Sequence, residues 1–595
     1  MSIPTMEDPR AEYVHRGEMR IQAAARQEQH DLRIAVLRLL VIISAASIAW
    51  LSLRSGRISP WWLILPLLAF LSLLILHERV RQARRRLNRA AAYYGRGIAR
   101  IDDRWAGSGE PGSRFIDKSH VYAEDLDIFG KGSLFELLCT ARTQAGEATL
   151  ASWLTGPAEP DFVRARQAAV GELRRQLDLR EDLAVVGDHG LAGVNPDALV
   201  AWSTAPPSLN SRSLRVAAAV LACSVVISLV AWLVLDKGQA VFFLLALTEG
   251  ILAFSARRNI RRVIEAVERP GQDLGLLAEV LGRLERERFA AARLVELRQA
   301  LEVDGLPPSR QIARLNRLIN MRRQLFWPLA ALLLWDLQTA FAIEAWRRKS
   351  GPAVARWLEV VGEMEALCSL SAYAYEHPRD PFPEIELEGP CFAAEALGHP
   401  LLPENICIRN NIRLCRDLRV LVVSGSNMSG KSTLLRTIGV NAVLALAGAP
   451  VRALQLRISP LAIGASMQRR DSLQEGTSRF YAEIMRLRQL VDLTAGTMPL
   501  LFLLDELLHG TNSHDRSIGA EALVKDLARR GAIGLLTTHD LALAHIAEVL
   551  APRAENVHFE DFIENGRLAF DYRLRPGIVR KSNALELMRS VGLQI

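Results

Sequence analysis

Residues 419–433 read RVLVVSGSNMSGKST. Arg419–Val423 is a short β-branched run with the composition of a buried strand, and a helical pattern begins after Thr433. Between them stand Gly425 and, after four intervening residues, Gly430-Lys431-Ser432. This is G-x-x-x-x-G-K-[ST] in the strand–loop–helix context that the motif requires. Its glycines let backbone N–H groups turn inward around phosphate oxygens, helped by the positive end of the following helix. The expected phosphate-binding residues are therefore Gly425, Ser426, Asn427, Met428, Ser429, Gly430, Lys431, Ser432 and Thr433. Lys431 reaches the terminal phosphates and counts among the catalytic groups, while the Ser432 hydroxyl suits Mg2+.

Two further apolar runs end in chemistry. Pro499–Leu504 reads as a strand and stops at Asp505-Glu506. Downstream of a phosphate loop, such a pair suits metal-assisted phosphoryl transfer. Asp505 holds Mg2+, directly or through water, and Glu506 orients and polarises the attacking water. Ile533–Leu536 ends in Thr537-Thr538-His539-Asp540. As a parallel neighbour it brings His539 to the same crevice, within reach of a γ-phosphate. These runs predict an α/β domain over residues 381–595, entered through the proline-rich breaker His377–Pro383.

The other two thirds of the chain have a different character. At 595 residues the chain has room for several units of ~100–200 residues each. Half of it is hydrophobic, 23% is charged, and the mean hydropathy is +0.11. That excludes a disordered or fibrous chain and is too apolar for an ordinary soluble enzyme. The apolar excess is concentrated in Ile34–Leu53, Ile58–Leu76, Val216–Leu235 and Ala240–Ala256. These are long enough, or nearly so, to cross ~30 Å of hydrocarbon as helices, and short polar turns pair them into two hairpins. Only seven of the 73 basic residues are lysine, and arginines flank both hairpins: Arg20, Arg26 and Arg33 precede the first, and Arg257, Arg258, Arg261 and Arg262 follow the second. Positive flanks place both termini, and all between the hairpins, on the cytoplasmic side of an inner, cytoplasmic membrane. The run Arg79–Arg89, without interleaved aromatics, reads as an anchor for membrane lipid headgroups.

The expected organisation is a cytoplasmic segment 1–33, a transmembrane hairpin 34–77, a basic juxtamembrane segment 78–117, a helical core 118–213, a second hairpin 214–257, and a helical lever 258–380 before the α/β domain 381–595. The polar first 30 residues do not read as a cleaved signal peptide. Trp327–Ile343, interrupted by Asp336 and Gln338, is expected as a buried helix of the body, and Glu249 in the fourth span as a packing residue. Six scattered cysteines without a C-x-x-C pair predict neither a disulfide framework nor a zinc site.

Gly425–Ser432, Asp471–Phe480, Asp505-Glu506 with Gly510–Ser513, and Thr538-His539 resemble, in order and spacing, the ATPase of the MutS family, one of the ABC-type ATPases. His399-Pro400 and the tail Phe570–Gly577 fit the same pattern. More weakly, Asp125–Pro157 and Glu363–Ser371 are similar to the start and end of that family's helical core. The resemblance implies ATP as the nucleotide, a homodimer with composite sites, Ser478 addressing the partner's γ-phosphate, and Gly510–Ser513 at the dimer interface. It also implies DNA as a partner, although acidic and basic residues nearly balance over 385–595. The departures are specific. Apolar hairpins stand where the family's mismatch-reading domains and DNA clamp belong, Ser426 and Ser429 replace the common Pro and Gly, and no aromatic near Cys407–Asn411 is placed to stack on adenine. The resulting expectation is a membrane-anchored, Mg2+-dependent ATPase with a moving helical core, with or without DNA. A transporter-associated ABC-type ATPase is the weaker alternative, because four spans are few and a Leu-Ser-Gly-Gly-Gln-type signature is absent.

Overall fold

In the computed structural model, which describes residues 8–55, 59–186, 195–209, 211–302, 305–324, 327–467, 479–508, 511–564 and 567–579, three of the four apolar arms belong to much longer helices, and the arm Val216–Leu235 takes up most of its own. Helix α1 (Pro9–Ser55) and helix α2 (Ile64–Ile101) pair antiparallel over most of their length. Both are rich in Ala, Leu and Arg, which favour helix. The 47 residues of α1 span about 70 Å, more than twice a hydrocarbon core. The segments expected to flank the first hairpin are therefore its inner stalk. Stalk geometry also revises the reading of the arginine run. Arg84 lies 3.0 Å from Glu28 and 3.7 Å from Asp31, and Arg86 lies 2.7 Å from Asp182, so these two arginines engage protein carboxylates.

The foot of the stalk is fastened to the body by buried polar groups. Arg100 donates to both carboxylate oxygens of Glu376, at 2.7 and 2.5 Å, and the Tyr13 hydroxyl donates to the same carboxylate at 3.3 Å. Removing one partner of a buried ion pair strands the other charge, which costs about 3–5 kcal/mol. Glu376→Ala is expected to lower the unfolding midpoint of the whole chain by several degrees, and a thermal melt in detergent checks this.

Short helices α3 (Leu134–Leu138), α4 (Gln144–Thr155), α5 (Pro160–Leu173), α6 (Leu177–Val185) and α7 (Pro196–Thr204) follow. The second hairpin is α8 (Arg212–Leu235) and α9 (Gln239–Leu284), and α9 again runs on from its apolar part into the body, through Pro270. Then come α10 (Ala292–Ala300), α11 (Pro308–Gln324), α12 (Trp327–Leu332), α13 (Trp335–Ser350) and α14 (Val354–Glu376). The apolar run at 327–343 is divided between α12 and α13 by Leu334, whose φ is +46°. Leu337, Ala340, Phe341 and Ile343 of α13 are buried in the body, as expected. Helix α14 is buried along almost its whole length, packs on α4, α5, α7 and α10, and ends just before the proline-rich breaker.

The remainder is α/β: β1 (Glu384–Ile385), β2 (Phe392–Leu397), β3 (Asn410–Leu414), β4 (Val420–Ser424), α15 (Lys431–Ala447), β5 (Gln455–Ile458), β6 (Ala462–Ser466), α16 (Arg479–Leu493), β7 (Leu500–Asp505), α17 (Ser513–Arg529), β8 (Ile533–Thr538), α18 (His545–Val549), β9 (Ala554–Glu564) and β10 (Arg567–Pro576). A small sheet has the order β1-β5-β2-β3. The large sheet has the order β10-β9-β4-β8-β7-β6, parallel except for β10. Strands β4, β7 and β8 are buried at every residue, which is why they read as unbroken apolar runs. The sequence reading of the cysteines is corrected at one place. Cys391 and Cys415, one step beyond the Phe392–Leu414 pair of β2 and β3, are joined by a disulfide that cross-strand register creates and sequence spacing does not announce.

Candidate functional site

Strand register sets the site. Ser424 at the end of β4 pairs with Thr538 of β8, and Asp505 at the end of β7 pairs with Thr537. The carboxyl ends of three neighbouring parallel strands thus finish at one edge, where α/β sheets bind ligands. From that edge the 425–430 loop leads to the N-terminus of α15, whose first N–H groups point back over the loop. Gly430 has φ +101°, and a Cβ there would come within 3.0 Å of the Tyr572 ring, so both conformation and space call for glycine.

The charged groups converge. Lys431 is buried and donates to Gly425 O and Ser426 O, both at 2.8 Å, with Glu506 Oε1 at 3.5 Å. Burial pulls its pKa below the ordinary lysine value, against the opposing pull of Glu506 and Asp505. The Ser432 hydroxyl donates to Asp505 Oδ2 at 2.6 Å, and the Thr537 hydroxyl holds Oδ1 of the same carboxylate. Glu506 has φ +48°, and its N–H donates to Thr537 at 3.2 Å, which turns the side chain off the strand end toward Lys431. His539 Nδ1 lies 3.3 Å from Glu506 Oε1. It reaches the site through that carboxylate, because the cavity wall itself does not include it among the described residues.

These groups open on a cavity of about 730 Å3. Asn427, Met428, Gly430, Lys431, Ser432 and Thr433 line it, together with Asp505 and Glu506. Gly425, Ser426 and Ser429 are not part of that lining, and the buried hydroxyls of Ser426 and Ser429 have no hydrogen-bond partner among the described residues. Ser478 and Gly510 lie outside the described residues, whereas Asn512 caps α17 by accepting from Asp515 N–H.

The opposite wall was not found from sequence. Ile406 and Ile408 come from the β2–β3 connection, and Phe559 and Tyr572 from the β9–β10 hairpin. Asn410 fastens this side, donating to Tyr572 O at 3.0 Å and accepting from Leu574 N–H at 2.8 Å. No aromatic near Cys407–Asn411 in sequence lines the cavity among the described residues, but Tyr572 lies on the same wall. Tyr572 arrives from 162 residues beyond Asn410. His399 also lines the cavity, and burial beside Arg436 and Arg452 lowers its pKa to about 4, so it stays neutral near pH 7.

Fold and site together define a parallel α/β domain in which a Gly-x-x-x-x-Gly-Lys-Ser loop faces a carboxylate pair on a neighbouring strand. Residues 421–594 match the family model for MutS domain V. The endonuclease MutS2 of Thermus thermophilus is 32% identical over 203 residues, 33% of this chain and 25% of that protein. DNA mismatch repair protein MutS 2 of Halobacterium salinarum is 34% identical over 249 residues, 40% of this chain and 27% of its own length. DNA mismatch repair protein MutS of Thermus caldophilus is 30% identical over 293 residues, 48% and 32% of the two chains. Over this domain the chain is similar to proteins of the MutS family. It spans about a quarter to a third of the length of these curated relatives.

Proposed function

We propose that the protein is a membrane-anchored, Mg2+-dependent ATPase whose nucleotide cycle moves its helical body. The observation that carries this reading is the meeting of Lys431, Ser432, Asp505 and Glu506 at the mouth of one cavity. The residues present fit a nucleoside triphosphate and a divalent ion. A buried ammonium rests on loop carbonyls, two loop hydroxyls lack partners among the described residues, and a hydroxyl–carboxylate pair offers oxygen donors of the kind Mg2+ takes. Lys431 binds the terminal phosphates, and Ser432 with Asp505 holds the ion, which neutralises phosphate charge when bound. Glu506 orients and polarises the attacking water, His539 fixes the Glu506 carboxylate, and Tyr572 with Ile406 and Ile408 offers a wall for the base.

Among the described residues, four helices are long and apolar enough to cross a membrane by length and composition. Only 6% of the apolar window in each arm of the first hairpin is buried within the protein. Trp61 and Trp62 stand exposed at its tip, the position of an interfacial aromatic belt. With the flanking arginines, this supports two hairpins in the inner membrane and the ATPase domain in the cytoplasm. Cysteines placed at Arg54 and Lys237 are expected to react with an impermeant maleimide from outside the cell, and those at Arg86 and Arg258 only after lysis. Labelling of Arg258→Cys from outside would reverse the orientation.

By the resemblance to MutS-family ATPases, a second chain stands across the nucleotide, with Ser478 addressing the partner's γ-phosphate. Mixing Lys431→Ala and Ser478→Arg chains, each inactive alone, is expected to restore up to one working site per mixed dimer. Pulled-down mixed dimers without activity would confine Ser478 to its own chain. DNA enters as a partner through the relatives' names. A mechanical role without DNA is favoured by one observation: α1, α2 and α9 pass without a break from the apolar spans into the body. Duplex binding by the full chain that weakens steeply with salt supports the DNA role, and its absence at low salt supports the mechanical one.

A further inference from the structure

Residues 118–127 form an irregular strap between the stalk and α3, and it touches the α/β domain at three places. Arg486 of α16 is buried and donates to three successive carbonyls, Lys118 O at 3.3 Å, Ser119 O at 3.3 Å and His120 O at 2.7 Å. Ala465 N–H of β6 donates to Val121 O at 2.9 Å, and Met467 N–H to Asp125 Oδ1 at 3.3 Å. Arg436 of α15, which lines the cavity, donates through Nε to Asp125 O at 3.0 Å.

Helix α16 has a second attachment one turn earlier. Glu483 Oε1 accepts from Leu508 N–H at 2.6 Å, two residues after Glu506. Glu483 and Arg486 stand at i and i+3, so they share a helix face. One rigid turn therefore holds the loop that carries Glu506 with one side chain and the strap with the other. A guanidinium suits this task, because its planar fork can serve several carbonyls at once, which an ammonium cannot reproduce in the same geometry.

We propose that Arg486 is a positioning residue that couples the Glu506 loop to the strap 118–127, and through the strap to the stalk and helical body. The proposal rests on the nucleotide reading above. The carbonyls that Arg486 holds belong to the strap and not to the groups assigned to nucleotide or metal, so its loss is expected to uncouple the domain without emptying the pocket.

Hydrogen–deuterium exchange of the full chain in detergent, with and without adenylyl-imidodiphosphate and Mg2+, reads both ends of this connection. In the unmodified protein the nucleotide slows exchange in a peptide covering 425–436 and in one covering 115–128. In Arg486→Ala the 425–436 response is expected to persist while the 115–128 response falls at least about fivefold, with kcat down roughly tenfold and KM for ATP within about threefold. Arg486→Lys should recover part of the strap response, and it is read by the same criterion if the alanine variant does not fold. A strap response equal to that of the unmodified protein, or loss of both responses together, overturns the coupling role. Absence of any 425–436 response in the unmodified protein is a separate result: it overturns the nucleotide reading, and this proposal with it.

Discussion

Lys431→Ala is expected to weaken ATP binding at least about a hundredfold, because truncating one partner of a buried charged contact costs about 3 kcal/mol or more. The ammonium is buried, already points at loop carbonyls, and lies 3.5 Å from Glu506. Its removal takes away the phosphate contact and leaves Glu506 facing the cavity without that cation. Titration of the full chain with a fluorescent ATP analogue measures the loss. Binding within a few fold of the unmodified protein would place the phosphates elsewhere.

Glu506→Gln is expected to show the opposite pattern. The amide keeps the shape and a hydrogen-bond acceptor but loses the charge that polarises water. ATP should bind with little change while kcat falls about a thousandfold, within the usual range for removing a general base. Thr537 still fixes the backbone of residue 506, so the variant tests the carboxylate and not the turn that presents it. Near-normal turnover would assign water activation to another group.

How far this site is legible depends on how local its determinants are. The 425–432 loop and the strand ends at Asp505 and Thr538 are written in contiguous residues. Buried parallel strands read as apolar runs, and the chemistry follows them directly. Strand neighbourhood is not local, and it is the register of β4, β7 and β8 that sets Ser432 against Asp505 and Glu506 against His539. Tyr572 illustrates the opposite case. It belongs to a hairpin beyond the last parallel strand, and its place depends on Asn410, which no spacing rule connects to it. The Cys391–Cys415 disulfide is hidden for the same reason.

The helical part shows a different limit. Hydropathy marks Ile34–Leu53 and Ile58–Leu76 as spans, but it is silent on whether a helix stops where its apolar stretch stops. Here α1 and α2 continue because Ala and Arg propagate helix as well as the apolar residues do. The carboxylates that pair with Arg84 and Arg86 lie on α1 and α6, far away in sequence, so a run that reads as a lipid anchor is in part a seam within the protein. The strap at 118–127 leaves no periodic signal. It is held mainly by main-chain carbonyls, which every residue has.

Phosphate release from ATP by the full chain, reconstituted in lipid nanodiscs, tests the central claim most directly. The account predicts steady turnover with Mg2+, abolished by chelation and by Glu506→Gln. Folded, nanodisc-embedded protein that releases phosphate no faster than the Glu506→Gln variant, with Mg2+ and ATP in excess, would contradict it.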